Sequence, residues 1–335
     1  MDNKKEKIEL GVEILTGIRP TGDLTVANYL GAVLPILKMQ EEGKRSVLFV
    51  ADLHALTTNE PAETKKYCLN VIADYVALGI DPRKTIIYRQ SDVAEETTVL
   101  MTYLARHISV AELLRTPTLK EKMQTESEEK LKQANALLFM YPVLMAADIL
   151  LQRSVAVPVG EDQVVHLEIT RKLANRFNKK YGDTFPAPAL MQRKALRLLS
   201  LRGEGKMSKS NPSGAIFLSE DIKSIEKKIK KAETAIEGEM TPRMESHLLL
   251  SKSLCQDKND AKQIDALLVQ HKNGEAVMGE FKKLMAKIII SFVEDFQSKR
   301  AKITDEQVRA ILKDGAVTAR KNAAKTLEIM KNRLY

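Results

Sequence analysis

Val155-Ala156-Val157-Pro158-Val159-Gly160-Glu161-Asp162-Gln163 is the stretch that decides the fold. An apolar β-branched run stops on a glycine and gives way at once to a helical pattern from Val164 to Phe177. Strand, glycine and helix in that order place Gly160 to Gln163 at the carboxyl end of a strand, the edge at which open α/β sheets bind their ligands.

The same alternation runs upstream. Val47 to Val50 reads as a strand, Ala62 to Leu78 as a helix, Thr85 to Tyr88 as a strand and Val93 to Ile108 as a helix, which predicts βαβ units and a parallel sheet. Downstream of Asp221 the pattern becomes Lys-rich and amphipathic, with helices expected over Ile222 to Thr234, Ala261 to His271, Glu275 to Glu294, Asp305 to Leu312 and Thr318 to Leu334. The expectation is an α/β chain whose parallel-sheet part is followed by an all-helical part, with Gly203 to Gly214 as the hinge between them.

The 335 residues, 44% hydrophobic and 29% charged, suffice for a sizeable core and two domains. No run approaches the roughly twenty apolar residues of a bilayer-spanning helix, and Met1 to Glu9 is charged, so a cytoplasmic protein with no membrane association is expected. Cys68 and Cys255 lie too far apart in sequence for a four-cysteine zinc motif and are expected as small core residues. The formal charge of +9 suits a polyanionic partner, since Lys and Arg gain affinity by displacing counterions from phosphates.

The most specific string is Lys206-Met207-Ser208-Lys209-Ser210, with Gly203 and Gly205 before it and Asn211-Pro212 after it. Two lysines three apart on a glycine-flanked loop can close over a triphosphate and neutralise charge that develops as pyrophosphate leaves. A solvated Lys/Ser linker is the plain alternative, but a specified five-residue string arises by chance only about once in ten thousand chains of this length. It resembles the signature of the class I aminoacyl-tRNA synthetases.

That class carries a second motif near its amino end, where a strand turns into a helix whose start meets the ATP phosphates. Here Glu13 to Leu15 can be the strand, Gly17 to Gly22 the turn and Val26 to Met39 the helix, interrupted only by Pro35. Thr25 and Asn28 fit the T-x-x-N form of the tryptophanyl subgroup, while Ala27 replaces its usual glycine. Without the resemblance, Pro20-Thr21-Gly22-Asp23 is a turn with a helix cap.

In Tyr141-Pro142-Val143-Leu144-Met145-Ala146-Ala147-Asp148, helical spacing puts Tyr141, Met145 and Asp148 on one face. Asp148 is bracketed by apolar residues, so it is expected to be buried and to need a partner. An indole N–H, a donor with no acceptor capacity, would serve. Tyrosine's hydroxyl would need a donor beside the acid, and Met145 cannot donate. Met145's thioether suits contact with a large aromatic ring.

The octapeptide, the segment Val157 to Gln163 with His166, and Ala51-Asp52-Leu53-His54-Ala55 complete a resemblance to the tryptophanyl-tRNA synthetases that covers nearly the whole chain. It implies a Rossmann-like catalytic domain over residues 1–205 and a helical anticodon-binding region over 206–335 that includes the Lys206 loop, with the last helix packing back on the catalytic domain. It implies catalysis by Lys206, Lys209, Thr25 and Asn28. It also implies an ATP site of Arg19, Pro20, Thr21, Ala27, Asn28, Gly160, Glu161, Asp162, Leu198, Lys206, Met207, Ser208, Lys209 and Ser210. The amino-acid pocket would comprise Asp148, Met145, Tyr141, His54, Gln163, Val157 and Val159, with His166 structural. ATP and Mg²⁺, L-tryptophan, tRNA(Trp) and a homodimer follow from the same resemblance. Arg19 and Thr118 stand where many bacterial members have glutamine. A tyrosyl enzyme of the same fold, a non-catalytic RNA-binding paralogue and a small nucleotidyltransferase remain as rivals.

Overall fold

The computed structural model describes residues 12–116, 136–160, 163–192 and 198–335, the side chain of residue 192 excepted. Strand β1, Ile14–Ile18, leads through a turn at Gly22, whose φ is +47°, into helix α1, Val26–Asn28. Thr25 caps this helix: its Oγ1 accepts the Asn28 N–H at 3.3 Å, and Asn28 Oδ1 accepts the Thr25 N–H at 3.0 Å. The helix continues through a π-turn, Tyr29–Val33, into α2, Leu34–Glu41. Pro35 follows that turn; a proline lacks an N–H, and here it falls in the first turn of α2, where none is needed.

Strand β2, Ser46–Val50, is followed by the short α3, Asp52–Ala55, and by α4, Pro61–Ala77. Strand β3, Thr85–Arg89, runs through a 3₁₀ turn, Gln90–Val93, into α5, Ala94–Ala105, with α6, Val110–Leu114, beyond. Helix α7, Ala136–Leu151, precedes β4, Ala156–Val159, and α8, Val164–Tyr181, precedes β5, Ala189–Gln192. From residue 222 onward the regular elements are all helices: α9, Ile222–Lys230; α10, Pro242–Leu254; α11, Lys258–Lys272; α12, Met278–Arg300; and α13, Asp305–Leu334.

The five strands form one parallel sheet in the order β3-β2-β1-β4-β5. The chain builds outward from β1 to β3 and then returns to the other side of β1, so the reversal of strand order falls between β1 and β4. β1 pairs with β2 along its whole length, from Ile14 opposite Ser46 to Ile18 opposite Val50, but with β4 only at Ile14 opposite Ala156. Beyond that pair the two strands part toward their carboxyl ends and leave a crevice at the switch point.

The parallel sheet and the helical carboxyl region agree with the sequence, and several details differ. Leu198 to Leu201 joins no strand of the sheet and makes an isolated antiparallel bridge, Leu199 with Lys206. α10 and β5 were not anticipated. The two pieces expected over Asp305 to Leu312 and Thr318 to Leu334 are one helix. Cys68 is buried, as expected, but Cys255 is only half-buried and its Sγ donates to the Asp257 carbonyl at 3.2 Å. Gly203 to Gly214 is also more than a linker: Met207 is buried, and a Cβ on Gly214 would lie 1.8 Å from Ser200 Oγ.

The core lies on both faces of the sheet. One cluster joins Ile18, Val26 and Leu48 to Met207, Ile225, Phe281 and Ile289 of the later chain. The other joins Leu15, Phe49 and Val143 to Ala319, Ala323, Leu327 and Met330 of α13. Gln152 Nε2 donates to the Ala319 carbonyl at 3.1 Å and ties α13 to the end of α7.

Candidate active site

The crevice between β1 and β4 opens into a cavity of about 380 Å³, within the range of small-ligand sites. Leu15, Thr16 and Gly17 of β1 form one wall, Val157 to Gly160 with Gln163 the facing one, and Leu138, Tyr141, Met145 and Ile149 of α7 a third. Arg19, Phe49, Ala51, His54 and Thr57 close the remainder. A Cβ on Gly17 would lie 2.7 Å from Phe49 Cζ, so only glycine lets the Phe49 ring cover β1 at this point.

Six of the seven expected pocket residues, Met145, Tyr141, His54, Gln163, Val157 and Val159, thus meet in one cavity. Asp148 does not line it. Its side chain, 2% exposed, lies behind the wall, where Oδ2 accepts a hydrogen bond from Gln90 Nε2 at 2.7 Å. Gln90 Oε1 in turn accepts the His54 N–H at 3.2 Å and lies 3.1 Å from His54 Nδ1, while that Nδ1 stands 3.6 Å from Asp148 Oδ2.

Gln90 therefore links two expected residues, and sequence reasoning missed it. The available signal was its place, the first residue after β3 at the carboxyl edge of the sheet. Burial raises the Asp148 carboxyl well above the ordinary carboxylate range, the Gln90 bond opposing this and the Asp52 charge adding to it. Burial also depresses the His54 imidazole, opposed by its bond to Gln90 and by the Tyr141 backbone, so His54 is neutral at pH 7. Tyr141 is held from behind by a hydrogen bond between its hydroxyl and His166 Nε2, and His166 is fully buried.

The loop with the two lysines stands against the other end of the Gly17 to Gly22 turn. Ser200 N–H donates to the Gly205 carbonyl at 3.0 Å and Met207 N–H to the Leu198 carbonyl at 2.8 Å, folding the segment into a hairpin anchored by Met207. Helix α10 supports it: Leu199 N–H donates to Ser246 Oγ at 2.8 Å, and Arg243 bonds the Gly203 carbonyl and pairs with Glu233. Lys209 Nζ donates to the Thr21 carbonyl and, at 3.1 Å, to the Gly22 carbonyl. Burial lowers the Lys209 ammonium, opposed by the charges of Asp23 and Asp74.

Lys206, Ser208 and Ser210 keep exposed or half-exposed side chains on this hairpin, and Ser208 Oγ lies 3.0 Å from Ser210 Oγ. Ala27 and Asn28 are half-buried, whereas Thr25 is 1% exposed and its hydroxyl serves the helix cap. Arg19 lines the cavity and its Nη2 donates to Thr58 Oγ1 at 2.8 Å. Arg19, Pro20 and Thr21 therefore run directly from the cavity to the carbonyls that hold Lys209. Glu161, Asp162 and Thr118 lie outside the described residues.

Residues 8–294 match the family described as tRNA synthetases class I (W and Y). The chain is similar to a tryptophan–tRNA ligase of Porphyromonas gingivalis, 37% identical over 324 residues that cover 94% of this chain and 96% of the relative. It is similar also to one of Halalkalibacterium halodurans, 37% identical over 328 residues that cover 94% and 95%. Among solved structures, the tryptophanyl-tRNA synthetase of Campylobacter jejuni complexed with ADP and tryptophan aligns with a TM-score of 0.81 at 30% identity, over 96% of this chain and 99% of that one.

Proposed function

We infer the function from one premise: the chain belongs to the class I tRNA synthetases (W and Y). It is a tryptophan–tRNA ligase, which activates L-tryptophan with ATP and passes the aminoacyl group to tRNA(Trp), releasing AMP and diphosphate. The observation that carries the choice of amino acid within this site is the apolar cavity wall at Met145, behind which Asp148 waits as an acceptor. Asp148 receives Gln90 on Oδ2, and the reading gives its other oxygen to the indole N–H. A phenol would meet a thioether where it needs a donor, a mismatch worth about 1–3 kcal/mol.

In this reading the tryptophan carboxylate attacks the α-phosphate of ATP in line, and no side-chain nucleophile takes part. The protein supplies position and charge: Tyr141, Met145, His54, Gln163, Val157 and Val159 seat the amino acid. The Arg19 to Thr21 turn, Ala27, Asn28, Gly160, Leu198 and the Lys206 to Ser210 hairpin receive ATP. Thr25 acts by holding the helix start and Asn28 in place. Mg²⁺ would be carried mainly by triphosphate oxygens, since it keeps most of its water shell. Among the described residues the turn offers one carboxylate to the water shell of such an ion, Asp23, which accepts Ser219 Oγ at 2.7 Å.

We assign residues 1–205 to catalysis and 206–335 to the loop and anticodon recognition, and take the working unit to be a cytoplasmic homodimer. No described helix is long and apolar enough to cross a membrane. Amino-acid-dependent ATP–pyrophosphate exchange tests the assignment: label enters ATP with tryptophan, and exchange with tyrosine alone would sink it.

A further inference from the structure

A second cavity, of about 250 Å³, lies on the far side of α3 from the first, between α4, the 3₁₀ turn after β3 and the beginning of α13. It contains no residue of the Lys206 hairpin or of the Arg19 to Gly22 turn. Lys65, Arg89 and Arg309 contribute three cations to its lining and Asp52 one carboxylate. Arg89 is already paired with Asp92 at 2.6 Å, but Lys65 and Arg309 are exposed and make no ion pair among the described residues.

Asp52 does not neutralise them by contact. Its Oδ1 accepts the N–H groups of Leu53 at 3.1 Å and Ser91 at 2.9 Å, and its Oδ2 accepts Ser91 Oγ at 2.5 Å. Thr64, which also lines the cavity, is 4% exposed, and its hydroxyl has no hydrogen-bond partner among the described residues. A buried hydroxyl without a partner loses its hydration for nothing unless something binds there. The rest of the wall is apolar, with Leu53, Leu56 and Leu69. Burial pushes the Cys68 thiol up to about 12, so this is a place to bind rather than a place for thiolate chemistry.

We propose that this cavity is an accessory anion site for a phosphate monoester with a small apolar body, the phosphate held by Arg309, Lys65 and the Thr64 hydroxyl and the body resting on the leucines. The two cations without an ion pair among the described residues, Lys65 and Arg309, suit an anion of that kind, and with a hydroxyl they supply charge-assisted hydrogen bonds to phosphate oxygens. The site is independent of the amino acid chosen in the first cavity.

Calorimetric titration of the full chain with phenyl phosphate and with inorganic phosphate tests it. Phenyl phosphate should bind the more tightly. Arg309→Glu should weaken it about tenfold or more and Thr64→Val about threefold. Both variants should keep tryptophan-dependent exchange, and Lys209→Ala should keep phenyl phosphate binding. Absence of binding at millimolar phenyl phosphate, or unchanged affinity in Arg309→Glu, overturns the proposal. Loss of binding in Lys209→Ala would place the anion at the nucleotide site and overturn it too. Equal affinity for inorganic phosphate would remove the organic body. If Arg309→Glu lowered tRNA affinity and left phenyl phosphate binding intact, the cations would serve nucleic acid instead.

Discussion

Lys209 is held by two peptide carbonyls, Thr21 and Gly22, at the turn that resemblance assigns to ATP. Carbonyl oxygens are weaker partners for an ammonium than the phosphate oxygens that would replace them, so the contact is set to strengthen as charge builds on the leaving pyrophosphate. Lys209→Ala should therefore lower the turnover of exchange by about 100-fold or more and leave tryptophan affinity within about twofold. Normal turnover would remove Lys209 from the mechanism. Gln90→Leu tests the support behind the cavity. It strips Asp148 of its Gln90 bond and frees the His54 ring, so tryptophan affinity should fall about tenfold, as measured by fluorescence-free equilibrium dialysis. An unchanged affinity would mean that Asp148 is not positioned through Gln90. Tyr141 and Met145 were legible because helical spacing puts both on the side of α7 that lines the cavity, and the burial of Asp148 because apolar neighbours on both sides foretell it. Gln90 was not, since one glutamine after a strand belongs to no period, and its partners lie 36 and 58 positions away.

Elements were legible where one face alone is buried or where a β-branched run stops on a glycine, as at β4. α10 escaped because its buried positions, among them Met244, Ser246, His247, Leu250 and Ser251, mix polar with apolar residues, so its buried face carries no apolar stripe. β5 is only four residues long, too short to show alternation. α13 was read as two pieces that left out residues 313–317, and the structure gives a reason for the glycine among them. A Cβ there would lie 1.8 Å from the Ile87 carbonyl oxygen of β3, so Gly315 lets the helix backbone lie directly on the sheet. Alanine is favoured over glycine inside a free helix by about 1 kcal/mol. Here the clash is with backbone, which cannot rotate away, and the helix must lift from β3. Gly315→Ala should thus destabilise the protein by about 2 kcal/mol or more, seen as a lower urea midpoint. A raised midpoint would mean that α13 lifts from the sheet at little cost.

At the scale of the molecule, the carboxyl-terminal helices enter both core clusters, and a group buried among them reports on the stability of the whole. His247 of α10 is such a group: it is 1% exposed, and neither ring nitrogen has a hydrogen-bond partner among the described residues. Burial, reinforced by the charges of Arg243 and Lys282, lowers its pKa from 6.5 to about 4. Above pH 6.5 the ring is neutral folded or unfolded and gives no pH dependence. As the pH falls from 6.5 toward 4, the unfolded chain takes up the proton and the folded one refuses it, so stability is lost over that window, by about 3 kcal/mol in all. His54, depressed by burial, acts in the same direction, while Asp148, raised by burial, acts in the opposite one. The difference between wild type and His247→Leu isolates the one residue, because the other two are common to both. Urea unfolding at intervals from pH 7 to pH 4 should show the wild type losing stability relative to the variant by about that amount as the pH falls. Parallel curves would mean that the ring finds a partner for its proton inside the folded protein. The same helix holds Leu199 through Ser246 and the Gly203 carbonyl through Arg243, so charging His247 should also loosen the hairpin that carries Lys206 and Lys209. Exchange activity near pH 4, where the folded ring takes up its proton, should then be better retained by His247→Leu than by the wild type.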